Sequence, residues 1–516
     1  CKLSSNWFAA GKDLSEESGA YISATADLYS AGNQTSWDKP QPTGQESQVI
    51  AAGDLIVGGS TAAYTGHQPG LSLKHPTSNL SNGSSNLLCE IRKDYNTGWM
   101  HGDIKGAFLS DTDNTNIADT QAVTNPGPYS NTTGWAAANA GWSVSDSNNR
   151  LVINSGSQTG SYFGAAQTLT LVNGTKYVLV VNIHSQTKTA VIRLTADGNY
   201  FTTTGLGTGE HAFYFTANQA SHSIFIGSDT GGTNREQQIS SVTIREVEED
   251  RSINDKGLQV FGTVPKQVVA TGAELVSYGP FSTSNRLRQP YNSDLNFETN
   301  DFSIMLWMYN TGTNDHETLV GRDNREFSVD ILDNDNYSRR FRIYAFDSSN
   351  SMGSFDSNDD PFPVNTWSHV CVNYTGGNTV SVYVNGVLNK AGTLNYDIDD
   401  TSNGLNIGAR NTSGSYAHAA DGTKLALVRI SKSAPSVDQI KKIYDDEKCL
   451  YRENAKCTLY GSSNNITALA YDDSNTILHA GTSSGRSEFR GLNRINNTTT
   501  AVTTAISESN GLIAEQ

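Results

Sequence analysis

The sequence predicts an all-β protein of several domains, on three observations. Runs of β-branched and aromatic residues recur at the short spacing typical of sandwich strands, with turn-forming residues between them. The 516 residues include 47 Gly but only 4 Met, and 22 Tyr and 17 Phe supply the apolar surface that a folded core needs. No apolar run reaches the roughly 18 residues of a transmembrane helix, so no membrane insertion is predicted.

The two ends of the chain are predicted to contain related β-meanders. In the N-terminal region, short strands are expected at residues 55–57 and 71–73, with a Gly-Gly turn after the first. Near the C-terminus, ITALAYDDSNTILHAGTSSGRSEFRGLNRI runs strand, acidic turn, strand, Gly turn, strand. Aligning residues 55–60 on residues 478–483 indicates two copies of one blade-like unit. Two blades cannot close a propeller ring, so we expect an incomplete propeller or packing against neighbouring subunits.

Residues 128–248 form a unit of successive predicted strands. Its features are an early Gly141-Trp142, a strand at residues 168–171 before Asn173-Gly174, a strand at residues 212–215, and a closing strand at residues 239–247. In this order the unit resembles a carbohydrate-binding-module-like jelly roll. The resemblance implies a β-sandwich in which exposed aromatic residues would carry any sugar binding.

Three strands are predicted between residues 297 and 389, in FETNDFSIMLWMYN, PVNTWSHVCVNYT and NTVSVYVNGVLNK. In the first, Phe302, Ile304 and Leu306 fall on one face, and Met305 and Trp307 fall on the other. Both faces are apolar, so this strand is expected to be covered on both sides. In the last, Asn-Gly supplies the positive φ angles of a tight hairpin.

These strands, in this order, resemble the laminin-G-like, concanavalin-A-like lectin/glucanase superfamily. The following LALVRISKSAPSVDQIKKIYDDE is similar to the closing strand and short terminal helix of that module. The resemblance covers roughly residues 258–447 and implies a two-sheet jelly-roll sandwich. It implies no single function, because the same sandwich carries glycan binders, protein binders, hydrolases and spacers.

The predicted fold is therefore two jelly-roll β-sandwiches with blade-like β-meander segments at both ends. GDIKGAFLSDTD before the first sandwich and DRSINDKGLQVFG after it would join naturally if the unit between them were removed, so we treat that unit as an inserted domain. The predicted segments are 1–94 (N-terminal blade-like repeat), 95–127 (connector), 128–248 (inserted jelly roll), 249–447 (lectin-like sandwich) and 448–516 (C-terminal blade-like meander).

The charge of the chain disfavours one class of partner. The net charge is −16, and the 36 Lys and Arg are dispersed without a basic cluster. Nucleic-acid binding needs concentrated positive charge to neutralise phosphates, so no nucleic-acid partner is predicted. The acidic surface is consistent with plain solubility and with cation binding.

The five cysteines form no evident disulfide framework. Cys449 and Cys457 are close enough in sequence to bridge a loop, whereas Cys371 lies mid-strand and is expected to be a buried small hydrophobe. The first residue is Cys rather than Met, so the start is processed or truncated, and we favour truncation.

No catalytic motif emerges from the sequence. Glycoside hydrolysis needs two facing carboxylates, and the nearest candidates, Asp330, Asp333 and Asp335, have no Glu beside them and end in a turn. The ten His show no zinc spacing, and His369 and His479 lie in strands, where packing is the commoner role. We therefore predict no enzyme activity.

Calcium is the cofactor that the sequence allows. Hard cations bind clustered oxygens, and the lectin-like superfamily often places loop aspartates at one rim for calcium. Solvated turns are the alternative, because Asp also forms turns. The candidate ligands are Asp333, Asp335, Asp356, Asp359, Asp360, Asp397, Asp399 and Asp400.

Sugar stacking is expected at aromatic residues on loop tips of the inserted jelly roll. The candidates are Trp135, Trp142, Tyr162 and Tyr200. Trp135 lies between Gly134 and Ala136 and is expected to be exposed, whereas for Trp142 a place in the core is the favoured alternative.

Most of the chain resembles virion-associated tail-fibre or adhesion proteins of tailed bacteriophages. The resemblance is carried by WMHGDIKGAFLSDT, the lectin-like module and LAYDDSNTILHAGTSSGRSEFRGL. It implies an extracellular, virion-borne homo-oligomer, a trimer by analogy with fibres, that contacts other virion subunits and binds host cell-surface glycan by avidity. The alternatives are a subunit of a bacterial adhesin or extracellular filament, and a secreted glycoside hydrolase with a binding module.

Overall fold

The structure, a computed structural model, describes residues 104–516 with short gaps, together with three strands before them. The gaps are residues 161–162, 196–198, 229–230, 253, 313–314, 335–336, 347–351, 377, 395–397, 399–401, 413, 464 and 510–511. The predicted all-β class is confirmed, because one α-helix and a few short 3₁₀ turns are the only non-strand elements of this described part.

The three N-terminal strands form one antiparallel sheet in the order β1-β2-β3. They are β1 Val57–Gly58, β2 Gly70–Lys74 and β3 Leu87–Ile91. The strand predicted at residues 71–73 is confirmed, whereas residues 55 and 56 of the other predicted strand lie outside the described residues. Two further strands, β4 Ile104–Phe108 and β5 Ile117–Ala118, fall within the segment predicted to be a connector.

The inserted unit is a sandwich of two antiparallel sheets. Its strands are β6 Ala136–Ala137, β7 Ser143–Ser147, β8 Arg150–Asn154, β9 Phe163–Thr170, β10 Lys176–Gln186, β11 Ala190–Thr195, β12 Asn199–Leu206, β13 Gly209–Thr216, β14 Ser221–Ser228 and β15 Glu236–Glu248. One sheet has the order β12-β11-β14-β9-β6, and the other contains β13, β10, β15, β8 and β7. Their inner faces enclose one apolar core that includes Leu179, Ile192 and Ile224.

The lectin-like unit follows. Its strands are β16 Leu258–Phe261, β17 Thr263–Val264, β18 Lys266–Val268, β19 Val276–Tyr278, β20 Arg286–Gln289, β21 Phe302–Asn310, β22 His316–Arg322, β23 Phe327–Asn334, β24 Tyr337–Phe346, β25 Met352–Asp356, β26 Trp367–Thr375, β27 Thr379–Val384, β28 Val387–Thr393, β29 Leu405–Ile407, β30 Arg410–Thr412, β31 Ser415–Ala417 and β32 Thr423–Ser431. One sheet runs β18-β19-β32-β21-β26-β27-β28, and the facing sheet runs β16-β20-β29-β22-β23-β24-β25.

Strands from both sides of the inserted unit contribute to the lectin-like unit. Before it, β4 pairs with β32, where Phe108 lies opposite Val428. After it, the end of β15 pairs with β16, where Val247 lies opposite Gln259, so one continuous sheet runs through both sandwiches. Asp250 holds the two chain segments together, because its carboxylate accepts the Ala107 N–H at 2.9 Å and the Ser252 N–H at 2.9 Å.

Strand β21 is covered on both faces, as its two apolar faces predicted. Phe302, Ile304 and Leu306 point into the core between the two sheets. Met305 and Trp307 point the other way, towards the C-terminal helix and the segment that follows it. The hairpin between β27 and β28 turns at Asn385 and Gly386, whose φ values of 51° and 79° match the tight turn predicted from Asn-Gly.

The predicted terminal helix is α1, Val437–Glu447. It begins with a capping box, in which the Ser436 side chain accepts the Gln439 N–H and the Gln439 side chain accepts the Ser436 N–H. Ile440 and Ile443 pack against Met305 and Cys371 on the outer face of the β21 sheet. The central strands β21 and β26 of this sheet are therefore buried on both sides, whereas the edge strand β28 is mostly exposed.

The C-terminal meander is confirmed as a four-stranded sheet in the order β33-β34-β35-β36. Its strands are β33 Ile466–Asp472, β34 Ile477–Thr482, β35 Gly485–Arg490 and β36 Asn493–Asn497, and a two-stranded sheet of β37 Ile506–Ser509 and β38 Leu512–Glu515 follows. The acidic turn between β33 and β34 is closed by Asp472, whose carboxylate accepts the Ser474 N–H at 2.8 Å.

Candidate functional site

The candidate site lies on the outer face of the lectin-like sheet that contains β29, β22 and β23. Alternation along each strand sends apolar side chains inward and polar ones outward. In β23, Val329 and Ile331 enter the core, so Ser328 and Asp330 face outward. The pairing of β22 with β23 shifts by one residue between Thr318, which lies opposite Asp330, and Val320, which lies opposite Val329.

Strand pairing brings four polar side chains together around a glycine. Thr318 lies directly opposite Asp330, and Gly321 lies opposite Ser328 on one side and Asn406 on the other. A Cβ atom at Gly321 would stand 2.7 Å from the Ser328 Cβ, so only glycine fits between these neighbours. We call Thr318, Ser328, Asp330 and Asn406 the polar cluster.

The polar cluster carries four buried oxygens that lack a hydrogen-bond partner among the described residues. They are Thr318 Oγ1, Ser328 Oγ, Asp330 Oδ1 and Asn406 Oδ1. Each of the four residues is at most 1% exposed. Buried polar atoms normally have partners, because an unpartnered one costs roughly 1–3 kcal/mol. Four such atoms in adjacent positions therefore mark a place where hydroxyl groups or water would complete the hydrogen bonding.

The remaining oxygen of Asp330 is engaged. Asp330 Oδ2 lies 2.7 Å from His316 Nε2, and Arg410 Nη1 lies 3.7 Å from the same oxygen. The His316 ring packs against His418, with 3.9 Å between ring centroids. These contacts engage Oδ2 of the Asp330 carboxylate and leave Oδ1 without a partner among the described residues.

The cations around the polar cluster are already neutralised. Arg342, opposite Asp330, donates through Nε and Nη2 to Asp356 at 2.6 Å each. Arg288, opposite Asn406, pairs with Glu210 at 3.1 Å and with Asp323 at 3.3 Å. The cluster is therefore rich in hydrogen-bond acceptors and hydroxyls without a free positive charge, which suits a neutral polyhydroxylated ligand.

The hairpin of β30 and β31 borders the polar cluster. Besides Arg410, it contributes Tyr416, and the guanidinium carbon of Arg286 lies 3.5 Å from the centroid of the Tyr416 ring. Asn411 donates to Asp323 Oδ1 at 2.7 Å, and this same oxygen accepts the Asn406 amide at 2.6 Å. The hairpin thus reaches the cluster through specific polar contacts, while Thr412, Gly414 and Ser415 at its tip are exposed.

The structure corrects the expectation that Trp135 is exposed. Its side chain is 5% exposed in the core of the inserted sandwich, and its indole N–H donates to the Asn125 carbonyl at 3.2 Å. The indole joins a core whose members extend from Val123 to Ile244, and this packing is not visible in the residues that flank Trp135.

The other aromatic candidates divide between core and undescribed positions. Trp142 is also 5% exposed, and its ring lies 4.8 Å from the Arg235 guanidinium carbon. Tyr162 lies outside the described residues, and Tyr200 lies in β12 with its side chain outside them. Neither tryptophan presents a ring face to solvent. Sugar stacking therefore remains a prediction for Tyr162 and Tyr200 alone.

The described aspartates proposed as calcium ligands face arginines instead. Asp359 pairs with Arg340 at 2.7 Å, and Asp360 pairs with Arg339 at 3.0 Å. Arg339 also lies 3.8 Å from Asp333, and Asp356 is held by Arg342 as described above. This donor set does not fit calcium, because a guanidinium occupies the position where the cation would neutralise each carboxylate. Asp335, Asp397, Asp399 and Asp400 lie outside the described residues, and calcium at these four stays a prediction.

Across the described ranges, no group of three or more His, Cys, Asp or Glu residues is arranged to hold a metal ion. His369 is fully buried beside Trp307, and burial with the nearby Arg429 lowers its pKa to about 3. His479 is also buried, in β34. Cys371 is buried in β26, as predicted, and Cys449 and Cys457 are both free thiols rather than a bridge. In the described part of the chain, no helix is long and apolar enough to cross a bilayer.

The polar cluster was missed by the sequence analysis except for Asp330, which was considered only as a catalytic acid. Its members come from three strands, and six further strands, β23 to β28, lie between Thr318 and Asn406 in the sequence. One local signal was available. Polar residues alternate with apolar ones in FSVDI, and Gly321 interrupts the neighbouring strand, a pattern that marks close approach of another chain or ligand.

We expect the Thr318→Val substitution to leave the free energy of unfolding unchanged, or to raise it by up to about 1 kcal/mol. Valine has the shape of threonine, and the lost hydroxyl makes no hydrogen bond with the described residues. Urea denaturation measures the change.

The matched control for this prediction is Thr423→Val. Thr423 is equally buried, but its hydroxyl donates to Glu317 Oε2 at 2.8 Å and accepts the Asn310 amide at 2.7 Å. Losing these bonds should cost about 1–3 kcal/mol. Equal losses for the two variants would contradict the statement that Thr318 Oγ1 is unpartnered.

Comparison with known proteins places this site in a recognised fold. Residues 283–441 match the family model described as Laminin_G_3, concanavalin A-like lectin/glucanases superfamily. This part of the chain has the concanavalin A-like lectin fold. The match includes every residue of the polar cluster, and it lies within the span of roughly residues 258–447 over which the resemblance was predicted. A search of curated proteins gives no match.

Three solved structures are among those to which the chain is similar. The binding domain of Paraclostridial mosquitocidal protein 1 is 14% identical at a TM-score of 0.31, with 46% of this chain and 62% of that chain covered. The ligand-binding domain of botulinum neurotoxin serotype D in complex with N-acetylneuraminic acid is 12% identical at a TM-score of 0.32, covering 46% and 58%. Domain 4 of the arabinanase AbnA from Geobacillus stearothermophilus, in complex with arabinotriose, is 16% identical at 0.29, covering 38% and 92%. The chain thus spans less than two thirds of the first of these structures.

Proposed function

We propose that this chain is an attachment protein that binds surface glycan through the polar cluster of its lectin-like unit. The observation that carries the proposal is the set of four unpartnered buried oxygens on one face of the sheet. A saccharide presents several hydroxyl groups at the spacing of a pyranose ring, and each can donate to or accept from such oxygens. Binding would convert four unsatisfied atoms into hydrogen-bonded ones, which favours the bound state.

The chemistry of the cluster favours neutral hydroxyl recognition. Asp330 Oδ1 and Asn406 Oδ1 are acceptors, whereas the hydroxyls of Thr318 and Ser328 can donate or accept. The surrounding arginines are paired with carboxylates, so they hold the cluster rather than attract an anion. A site of this kind binds weakly for each copy, and avidity over repeated copies supplies stable attachment.

Entry of a saccharide requires movement of the β30–β31 hairpin, because the cluster oxygens are buried beside it. The hairpin is two short strands with an exposed tip, and its contacts to the cluster are polar side-chain pairs rather than a shared apolar core. Its displacement therefore exposes little apolar surface.

A glycan array tests this proposal. The full chain is labelled and applied to immobilised neutral and acidic saccharides, with the Thr318→Val/Ser328→Ala variant as the comparison. We expect the wild-type chain to bind a subset of neutral saccharides and the variant to lose that signal. Absence of any neutral-saccharide binding by wild type, at a chain density that permits avidity, would contradict the proposal.

We extend the proposal to the particle that carries the chain, a tail fibre or other virion appendage in which homo-oligomers present the lectin-like unit to a host surface. The support is the resemblance of WMHGDIKGAFLSDT and the C-terminal meander to tailed-phage adhesion proteins, and the arrangement of β-sandwiches in series. Electron microscopy of the native assembly tests it. A symmetric appendage on a virion is expected, whereas a free filament would favour the bacterial adhesin and soluble monomers would contradict both.

We assign binding rather than hydrolysis to this face. Asp330 is committed to His316 through Oδ2, and the nearby Asp356 is held bidentately by Arg342. Asp330 Oδ1 is unpartnered, but the ion pair with Arg342 leaves Asp356 unable to serve as the second carboxylate that a glycosidase pair requires. Prolonged incubation with a saccharide identified on the array should therefore return it intact by chromatography, and release of shorter fragments would overturn the assignment.

A further inference from the structure

A second candidate ligand site lies on the inserted sandwich, on the outer face of its β12-β11-β14-β9-β6 sheet. Ile192 and Leu194 of β11 enter the core, so Arg193 between them points outward. Phe225 of β14 is directly opposite Arg193, and Phe163 of β9 lies on the same outer face. We call Phe163, Arg193 and Phe225 the Arg193 platform.

The Arg193 platform is a cation set over two aromatic rings. The guanidinium carbon lies 5.3 Å from the Phe163 centroid and 5.9 Å from the Phe225 centroid. The two rings are 5.6 Å apart and inclined at 58°. All three side chains are half-buried, so one side of each is open to solvent. Ala166, the residue opposite Phe225 on β9, is small and leaves the ring uncovered along the sheet.

Arg193 differs from the other arginines that lie on aromatic rings in the described part of the chain, because each of those has an ion pair or a hydrogen bond. Arg245 on Phe261 also pairs with Asp119 at 2.9 Å, and Arg342 near Tyr344 pairs with Asp356 at 2.6 Å. Arg193 has neither an ion pair nor a hydrogen bond among the described residues, and its Nε is buried without a partner. In a chain with 52 Asp and Glu against 36 Lys and Arg, an oriented arginine without a carboxylate is ready to bind an external anion.

We propose that the Arg193 platform binds a pyranose ring that carries a carboxylate. Aromatic faces hold the C–H face of a sugar ring, and a guanidinium holds a carboxylate through two parallel hydrogen bonds. The platform provides both in neighbouring positions on one sheet face. The site is separate from the polar cluster in residues, in module and in ligand charge, so it adds acidic-saccharide recognition to the proposed attachment function.

Titration calorimetry of the full chain with three small probes tests the proposal. The probes are trigalacturonate, 3′-sialyllactose and, as the neutral control, maltotriose. We expect at least one carboxylated probe to bind at least about tenfold more tightly than maltotriose, with an affinity that falls as NaCl is raised. Which of the two binds assigns a uronate or a sialic acid as the ligand. Equal affinity for acidic and neutral probes would overturn the proposal.

Substitution locates the site. Arg193→Met keeps the aliphatic stem over the rings and removes the charge, and we expect it to weaken binding of the carboxylated probe about tenfold or more. Arg193→Lys should recover only part of the loss, because lysine lacks the two-pronged donor. Phe225→Leu removes the ring while retaining Arg193 and should also weaken binding. Unchanged affinity in Arg193→Met would contradict the assignment, and if that variant fails to fold, Phe225→Leu and the salt titration decide.

Two controls test the alternatives that the platform binds any carboxylate and that the acidic saccharide binds at the polar cluster. A short poly-glutamate peptide supplies carboxylates without a sugar ring, and binding as tight as that of the best saccharide would show a charge site and overturn the sugar assignment. The Thr318→Val/Ser328→Ala variant, altered only in the lectin-like unit, should bind the carboxylated probe as wild type does. Loss of binding in that variant would place the acidic ligand at the polar cluster instead.

Discussion

Glu447→Ala is expected to lower the free energy of unfolding by about 3–5 kcal/mol. Glu447, at the end of α1, is fully buried, and it accepts from Arg429 Nη1 at 2.6 Å, Arg429 Nη2 at 2.8 Å and the Trp307 indole N–H at 2.8 Å. Its removal leaves the Arg429 guanidinium in the interior without this carboxylate, beside the neutral His369. Urea denaturation of wild type and variant measures the loss.

The matched control lies two residues earlier in the same helix. Asp445 pairs with Lys441 at 3.1 Å and with Lys448 at 2.6 Å, but these side chains are 39–60% exposed. Solvent screens such pairs, so Asp445→Ala should change the free energy of unfolding by less than about 1 kcal/mol. Replacing both buried partners, as Arg429→Met/Glu447→Leu, should cost less than Glu447→Ala alone, because no uncompensated charge remains. Equal effects of Glu447→Ala and Asp445→Ala would contradict the account of how α1 is held.

The free energy of unfolding is expected to fall by about 3–5 kcal/mol between pH 4.5 and pH 7.5 through two acids where the two sandwiches join. Burial raises the pKa of Glu248 from 4.5 to about 7 and the pKa of Asp250 from 3.8 to about 6. Because both folded values exceed the unfolded ones, the folded chain binds more protons in this range. The contribution is therefore complete at low pH and is lost as pH rises through 6 and 7.

The surroundings of these acids explain why burial outweighs their favourable contacts. Tyr278 donates to Glu248 Oε1 at 2.5 Å. The nearby Lys266 favours the charged form of Glu248, but it also pairs with Asp111 at 2.5 Å, so its positive charge is not available to Glu248 alone. Asp250 is 3% exposed and relies on neutral donors, including the Lys256 N–H at 3.0 Å. Urea denaturation at a series of pH values measures how steeply the free energy of unfolding falls with pH. Glu248→Gln should make this fall smaller, and an unchanged pH dependence in that variant would contradict the assignment to Glu248.

Features of the fold that depend on neighbours in sequence were predictable. The Asn385-Gly386 turn is found where it was predicted. The Ser436 to Gln439 capping box was not predicted, but it too is set within a few residues. The double-sided burial of β21 also follows from its own residues, because apolar side chains on both faces of a strand require cover on both.

Features that depend on strand register were not predictable from local pattern. Thr318, Ser328 and Asn406 become neighbours only because β29, β22 and β23 pair in one register, which the sequence does not state. Trp135 shows the opposite error, since small flanking residues resemble an exposed loop. The indole instead packs in a core whose members extend from Val123 to Ile244, and it donates to the carbonyl of Asn125.

The aspartates show why a residue type alone does not define a site. Clustered Asp in loops fits both calcium binding and ion pairing, and the choice depends on which cations lie opposite. Arg339 and Arg340, in the adjacent strand β24, supply those cations for Asp360 and Asp359. Their pairing with the loop follows from the β24–β25 hairpin, in which Arg342 lies opposite Asp356.

The central claim is that the unpartnered oxygens of the lectin-like sheet bind saccharide hydroxyls, and one comparison of affinities tests it most directly. The best neutral saccharide from the array is titrated into wild type and into Thr318→Val/Ser328→Ala by calorimetry, with urea denaturation confirming that both are equally stable. Two lost hydrogen bonds predict an affinity about 100-fold weaker in the variant. Equal affinities at equal stability would show that the polar cluster does not bind the saccharide.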